Sequence, residues 1–436
     1  MPPARKSHCS SEIKTTFRHG GGNLTRAGRI IPKAPAARLA WQPNLALLAF
    51  AGSMMVAVWA GQIGSDLSVF WLMGMAFGFV LQRSRFCFAS GFRDLFLLRD
   101  GRVMKGIIAG MVVATGGFTL VMSDILPNAR LDLVAYQAHV SPLALGLVVG
   151  GLVFGLGMVL AGGCVSGSIY RMAEGYLGSW VTFVGIMTGL VVVGHTWNWW
   201  WRMDIGLAPR LWLPNLAGYG SAMAVTLAAL VGAYIFILWW ESRGGLVIPY
   251  RPATEPPADT FGEKLRQSYR AIFVHGWPAT TGGLVLGALN VYMYSYEHPW
   301  RITGEISVWG NALAARLGLA QPPLLGIETL TGCTMGGSQC GLLNHMALSN
   351  LGLFTGALVA ALLAQECKLR VPRKKVRYFQ SLGGGLLMGY GAGLAVGCTV
   401  GAFFSAIPSL AANGWIFAIA LAGGAFLGTK ALRWLP

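Results

Sequence analysis

Acid is scarce in this chain: 16 Asp and Glu stand against 33 Lys and Arg in 436 residues, and charged residues of either sign make up only 11%. So little charge cannot cover the surface of a soluble domain of this length, which excludes that class. No C-x-x-C pair occurs, and the seven cysteines and seven histidines never fall into zinc-ligand spacing, so neither a disulfide scaffold, a structural metal nor a bound cofactor is expected. Ten-residue alternating segments are missing as well, and with them the signature of a porin-like barrel. The net charge of +17 comes from short clusters of Lys and Arg that flank apolar runs. That is the placement of the positive-inside bias, and nucleic acid is not expected as a partner.

What the chain does have is apolar length. Hydrophobic residues make up 54% and the mean hydropathy is +0.56. The runs are mostly 18 to 24 residues long, enough for helices to cross a hydrocarbon core of about 30 Å. The expected fold is an all-α polytopic membrane protein in contact with lipid, with about ten spans: 43–62, 66–82, 104–123, 142–163, 178–199, 216–240, 271–294, 346–365, 380–397 and 412–432. Residues 1–40 are basic, with Glu12 as their one acid, and read as a disordered cytoplasmic tail. A first membrane half, 41–240, precedes a polar linker, 241–270, and a second half, 271–436. The basic connections Arg83 to Lys105 and Lys368 to Arg377 are expected in the cytoplasm. Counting spans from them puts both termini there too.

One stretch occurs twice. Gly151 to Ser168 reads GLVFGLGMVLAGGCVSGS, and Gly385 to Ser405 reads GLLMGYGAGLAVGCTVGAFFS; aligned without gaps up to Cys164 and Cys398, eight of fourteen positions are identical. Chance supplies about two, so the pair reads as an internal duplication. Span counting makes the copies antiparallel: the helix ending at Cys164 enters the cytoplasm and the one ending at Cys398 leaves it. The same holds one element earlier, for 104–123 and 346–365. Inverted repeats of this kind bring broken helices together near the midplane in many transporters.

Glycines at 151 and 155, and at 385, 389, 393 and 397, stand four apart and bare one face of each helix to a neighbouring backbone. Beyond each cysteine lies a segment of about seven residues, too short to cross. It reads as a broken or re-entrant half-helix with its positive end near the thiol, suited to an anion. Cys164 and Cys398 are expected to approach from opposite faces. A cysteine in a tight helix is ordinarily a small packing residue, but recurrence at the same place in two copies favours function.

A third cysteine, Cys87, sits among Arg85, Arg93 and Asp94, either a cationic vestibule or an ordinary positive-inside loop. Arg171 and Glu174 follow Cys164, three residues apart, and are expected to pair with each other rather than touch substrate. Cys333 and Cys340 lie in a Gly- and Ser-rich stretch that reads as a further broken helix, with His345 nearby, while Cys9 and Cys367 read as incidental. A thiol is a soft, weak donor. A line of them suits a polarizable sulfur or selenium oxyanion held loosely enough to move on. A cysteine that carries sulfur as a persulfide remains the alternative, and a quinone or haem redox protein has little support without paired membrane histidines.

The stretches Gln82 to Asp94, LeuAlaGlyGlyCys with TyrArgMetAlaGluGly after it, and ArgValProArgLysLys followed by the copy around Cys398 resemble the YeeE/YedE family of sulfur-transport membrane proteins. The resemblance implies an hourglass-shaped inner-membrane uptake protein whose YeeE branch passes thiosulfate along a central line of cysteines, here Cys87, Cys164 and Cys398. The YedE branch is associated with selenium metabolism, and a small TusA-like sulfur carrier on the cytoplasmic side is the usual partner. The motif matches point to the YedE side, although the half with the ArgValProArg run comes second here and is expected first in YedE-like relatives.

Overall fold

Small residues spaced four apart let helices meet backbone to backbone, and the fold is built from four such contacts. In a computed structural model that describes residues 41–130, 133–244, 261–330 and 344–434, the long helices are α1 (Gln42–Ile63), α2 (Ser65–Ser84), α4 (Arg102–Ile125), α5 (Leu145–Ala161), α7 (Leu177–Trp200), α8 (Leu213–Ser242), α10 (Ala279–Tyr296), α12 (His345–Leu363), α13 (Val376–Leu394) and α14 (Ala412–Trp434). Short helices α3 (Phe88–Leu97), α6 (Val165–Ala173), α9 (Phe261–Tyr269) and α11 (Thr303–Arg316) lie between them. The ten long helices match the ten expected spans. Among the described residues, eight helices are long and apolar enough to cross a membrane, or up to ten when bent pairs count as one. The tail, most of the linker and the Cys333 and Cys340 segment lie outside the described residues.

The glycines identify the partners. A β-carbon on Gly155 would collide with the carbonyl oxygen of Leu421 and lie 2.8 Å from the nitrogen of Ala425; one on Gly389 would collide with Ile186 and lie 2.9 Å from the nitrogen of Leu190. These are the same contact made twice, once by α5 with α14 and once by α13 with α7. Likewise Gly78 of α2 meets the Leu353 carbonyl on α12, and Gly287 of α10 meets the Gly110 carbonyl on α4. In each of the four pairs the contact positions rise together in number, so the paired helices run parallel. Alternating ten spans across a membrane gives those four pairs the same directions. By contrast, Gly150 contacts Gly391 while Gly157 contacts Gly384, so the two copies α5 and α13 are antiparallel.

Two sequence expectations change in detail. The span expected at 271–294 is broken: the helical segment Gly262–Val274 meets α10 at 77°. Pro278 stands at the N-cap of α10, where it cannot continue the preceding helix. Of the alternatives for the segment after Cys164, the broken helix holds, since α5 and α6 continue as one span of 29 residues, Leu145–Ala173. After Cys398 a π-helical turn, Thr399–Ser405, is bent 50° from α13. α11 has no counterpart among the expected elements.

Connections expected on one side of the membrane meet at one end of the bundle. Arg83 donates to the Phe273 carbonyl at 2.8 Å, Lys105 pairs with Glu241 at 2.9 Å, and residues 174–177 bond to residues 368–370. At the other end Trp212 donates to Ser409 and Arg301 to Gln137.

Because the glycine contacts admit no β-carbon, Gly389→Val costs about 3 kcal/mol by overpacking, whereas Gly52→Ala, with nothing within 4 Å, is neutral. Melting of detergent-purified protein followed by size-exclusion fluorescence checks this: the first variant melts lower than the parent and the second melts with it.

Candidate functional site

Three cysteines each begin a short helical segment. Cys87 is the N-cap of α3, Cys164 that of α6, and Cys398 precedes the turn Thr399–Ser405; all three have extended backbone at the break. Breaking a helix inside a membrane frees backbone groups that must find partners within the protein. Here Gly91 N–H and the Ser90 hydroxyl donate to the Cys87 carbonyl, Ser168 N–H donates to that of Cys164, and Ala402 N–H to that of Cys398. All three side chains are fully buried in one apolar cluster.

The thiol that meets Cys164 is that of Cys87, with the two Sγ atoms 3.8 Å apart, a juxtaposition that sequence reasoning did not anticipate. Cys164 Sγ also accepts from Gly167 N–H at 3.3 Å and lies 3.3 Å from the Ser166 hydroxyl. Gly167 makes the approach feasible: a β-carbon there would stand 2.6 Å from Cys87 Sγ. The segment after Cys398 joins the same core through aromatic edges, with Phe404 and Phe403 packing on Phe88 at centroid distances of 5.4 and 6.4 Å.

Next to the thiol pair lies a cavity of about 480 Å³, lined by Arg85, Ser90, Asp94, Tyr170, Arg171, Glu174, Glu366 and Arg370 among others. Of the residues expected around Cys87, Arg85 and Asp94 line this cavity, and the arginines are not bare. Arg85 pairs with Glu366 at 2.7 Å and Arg93 with Asp94 at 2.8 Å.

The pairing expected between Arg171 and Glu174 does not form. Arg171 turns back to donate to the Gly162 carbonyl at the end of α5, and Glu174, just past the end of α6, accepts from Gln82 at 3.0 Å. The freed carbonyl at the helix break outcompetes a carboxylate three residues along. Burial holds the Glu174 carboxyl above its usual range.

Gln82, Arg83 and Glu366 are functional candidates that sequence reasoning passed over. Arg83 counted only as a positive-inside residue, yet its side chain is completely enclosed and bonded to Glu366 at 3.0 Å. The available signal was the scarcity of acid, since Glu366 stands alone beside a basic run.

A second polar group gathers beside Cys398. His139, in the loop after α4, lies 3.2 Å from where a β-carbon on Gly397 would be, and both its ring nitrogens are buried without a partner among the described residues. The same is true of Thr399 Oγ1, on the residue after Cys398. Burial, reinforced by Arg301, pushes His139 down to about 3, so the imidazole is neutral at physiological pH. Among the described residues no cluster suited to a metal ion occurs. Cys333 and Cys340 lie outside them.

Residues 83–427 match the model of the Sulphur transport family. The chain belongs to that family. It is 31% identical to the thiosulfate transporter TsuA of Spirochaeta thermophila over 84% of this chain and 97% of the relative, and 28% identical to TsuA of Escherichia coli over 84% and 93%. A probable transporter, YedE of Salmonella typhimurium, is 33% identical over 46% of this chain and 47% of its own. Within the Sulphur transport family, then, likeness to TsuA runs through nearly the whole chain, while the YedE likeness anticipated from the motifs covers about half.

The thiol geometry makes a direct test available. Phenylarsine oxide, which bonds two thiols to one arsenic with loss of water, is expected to bridge Cys87 and Cys164. Peptide mass spectrometry should find one phenylarsenic group linking these two peptides, and their modification only as separate adducts would contradict the placement.

Proposed function

We propose that this protein is an inner-membrane permease that passes thiosulfate, or a related sulfur or selenium anion, along Cys87, Cys164 and Cys398. The observation that carries this reading is the pair of enclosed thiols 3.8 Å apart, each at the start of a short helix. Freed N–H groups and the positive helix ends favour an anion, while the sulfur atoms offer soft, weak contacts. Several weak sites in series allow entry without trapping.

Polar groups at the two ends of the line complete the route. His139 and Thr399 have donor atoms for an oxyanion near Cys398, and the neutral imidazole donates without fixing the anion by full charge. At the opposite end lies the cavity of Arg85, Arg171 and Arg370. The arginine-rich connections favour the cytoplasm for that end, and on this reading the termini lie on the same side and the two antiparallel copies are inverted across the bilayer. A TusA-like sulfur carrier is the proposed recipient there. Thiosulfate is the favoured substrate because whole-chain relatives bear the name thiosulfate transporter.

Uptake of labelled thiosulfate into proteoliposomes tests the reading. Single replacement of Cys87, Cys164 or Cys398 by Ala should lower uptake by at least about tenfold, a loss of roughly 1.4 kcal/mol. Uptake at the parent rate in all three variants would refute the pathway. A persulfide carrier would instead attack the outer sulfur, release sulfite and retain one sulfur on cysteine, an adduct that mass spectrometry of thiosulfate-treated protein resolves. A permease leaves the thiols unmodified.

A further inference from the structure

The cationic end of the cysteine line already holds an oxyanion, the carboxylate of Glu366. Its Oε2 accepts from Arg83 Nη2 at 3.0 Å and from Gln82 Nε2 at 2.9 Å, and its Oε1 accepts from Arg85 Nη2 at 2.7 Å. Three donors from one helix end therefore converge on two oxygens. Arg83 is fixed independently of Glu366: its side chain is fully enclosed, Nη1 donates to the Phe273 carbonyl and Nε to Gln82 Oε1. Such a guanidinium, held in place and satisfied on its other edges, is a preformed oxyanion receptor.

Glu366 is held differently. Its side chain is 26% exposed, and it follows Gln365, whose φ of 57° is left-handed, a conformation that costs energy in any residue but glycine. Arg85 shares that conformation, with φ 48°. Beyond Glu366 the chain is anchored, since Lys368 N–H donates to the Glu174 carbonyl and Arg370 N–H to that of Gly175. The Glu366 backbone is held as well, its N–H donating to the Ala361 carbonyl and its carbonyl accepting from Arg370, so what can leave the enclosed Arg83 is the partly exposed carboxylate, by side-chain rotation.

We infer that Gln82, Arg83 and Arg85 form a second oxyanion site, for a divalent tetrahedral sulfur or selenium oxyanion, which Glu366 occupies as a built-in surrogate until the travelling anion displaces it. The inference rests on the transport reading and extends it to the release step. Two bare arginines would trap a dianion, but a carboxylate that returns to the same donors evicts it, and Glu174, which accepts from the same Gln82 nitrogen, adds repulsion. These donors read oxygen, so the site takes sulfate as well as thiosulfate.

Calorimetric titration of the full chain in nanodiscs with thiosulfate, and separately with sulfate, tests this. Glu366→Gln should tighten binding of both anions by about tenfold, the competing charge-assisted contacts being gone. The gain should vanish when Arg85→Gln is added. Glu366→Asp, whose carboxylate is drawn back by one methylene, should tighten binding in the same direction by less, and it serves if the Gln variant does not fold. Unchanged or weaker affinity in folded Glu366 variants overturns the proposal, as does tightening for thiosulfate alone, which would assign the contact to the thiols. Tighter anion binding in a protein that takes up no thiosulfate would keep the site and refute the transport reading. Normal uptake with unaltered affinity would do the reverse.

Discussion

Direct contact between helix backbones at glycine is the constraint on which the rest depends. Gly155 against Leu421 and Gly389 against Ile186 bring α5 to α14 and α13 to α7 at a distance that no side chain permits. Lipid offers no hydrophobic drive for helices to associate, so packing at this range must supply the cohesion. It also creates the enclosed interior in which helices can be broken. Each break after Ala161 and Leu394 exposes peptide groups that only protein can satisfy at membrane depth, and the cysteines sit at these breaks.

The arrangement of charge follows from the same economy. The thiols are enclosed, and at the end where Arg83, Arg85 and Lys105 gather, carboxylates from distant helices pair with them. Glu366 on the segment after α12 meets Arg83 at the end of α2 and Arg85 just beyond it, and Glu241 at the end of α8 meets Lys105 near the start of α4. With only 16 acids in the chain, most partners a cation could have are few and specific. On the proposed transport reading, an anion leaving the thiol pair would enter a site whose attraction is already partly spent, which is the condition for passing it on.

Much of this was legible in the residues. Helix length and hydropathy located the ten long helices, and the doubled Gly-Gly-Cys motif pointed to the antiparallel pair of α5 and α13, because four-residue glycine spacing and a repeated motif are local signals. Tertiary contacts were not legible. Nothing in the order of residues says that Cys87 meets the Cys164 thiol, since that depends on how α3 folds under α6 at Gly167. The Arg171 and Glu174 pair failed for a similar reason: their spacing predicts a helical ion pair, but the carbonyl freed at Gly162 lies nearer to Arg171 than spacing along one helix can reveal. Arg83 was indistinguishable from its neighbours until its burial was known.

The central claim is that the anion travels beside sulfur. A structure of the protein with thiosulfate bound tests it most directly, because the outer sulfur can be located by its anomalous scattering. The account predicts that sulfur within roughly 4 Å, the reach of a sulfur hydrogen bond, of at least one of Cys87, Cys164 and Cys398. Thiosulfate found only among surface arginines, with the three thiols remote from it and still packed against apolar neighbours, would contradict it.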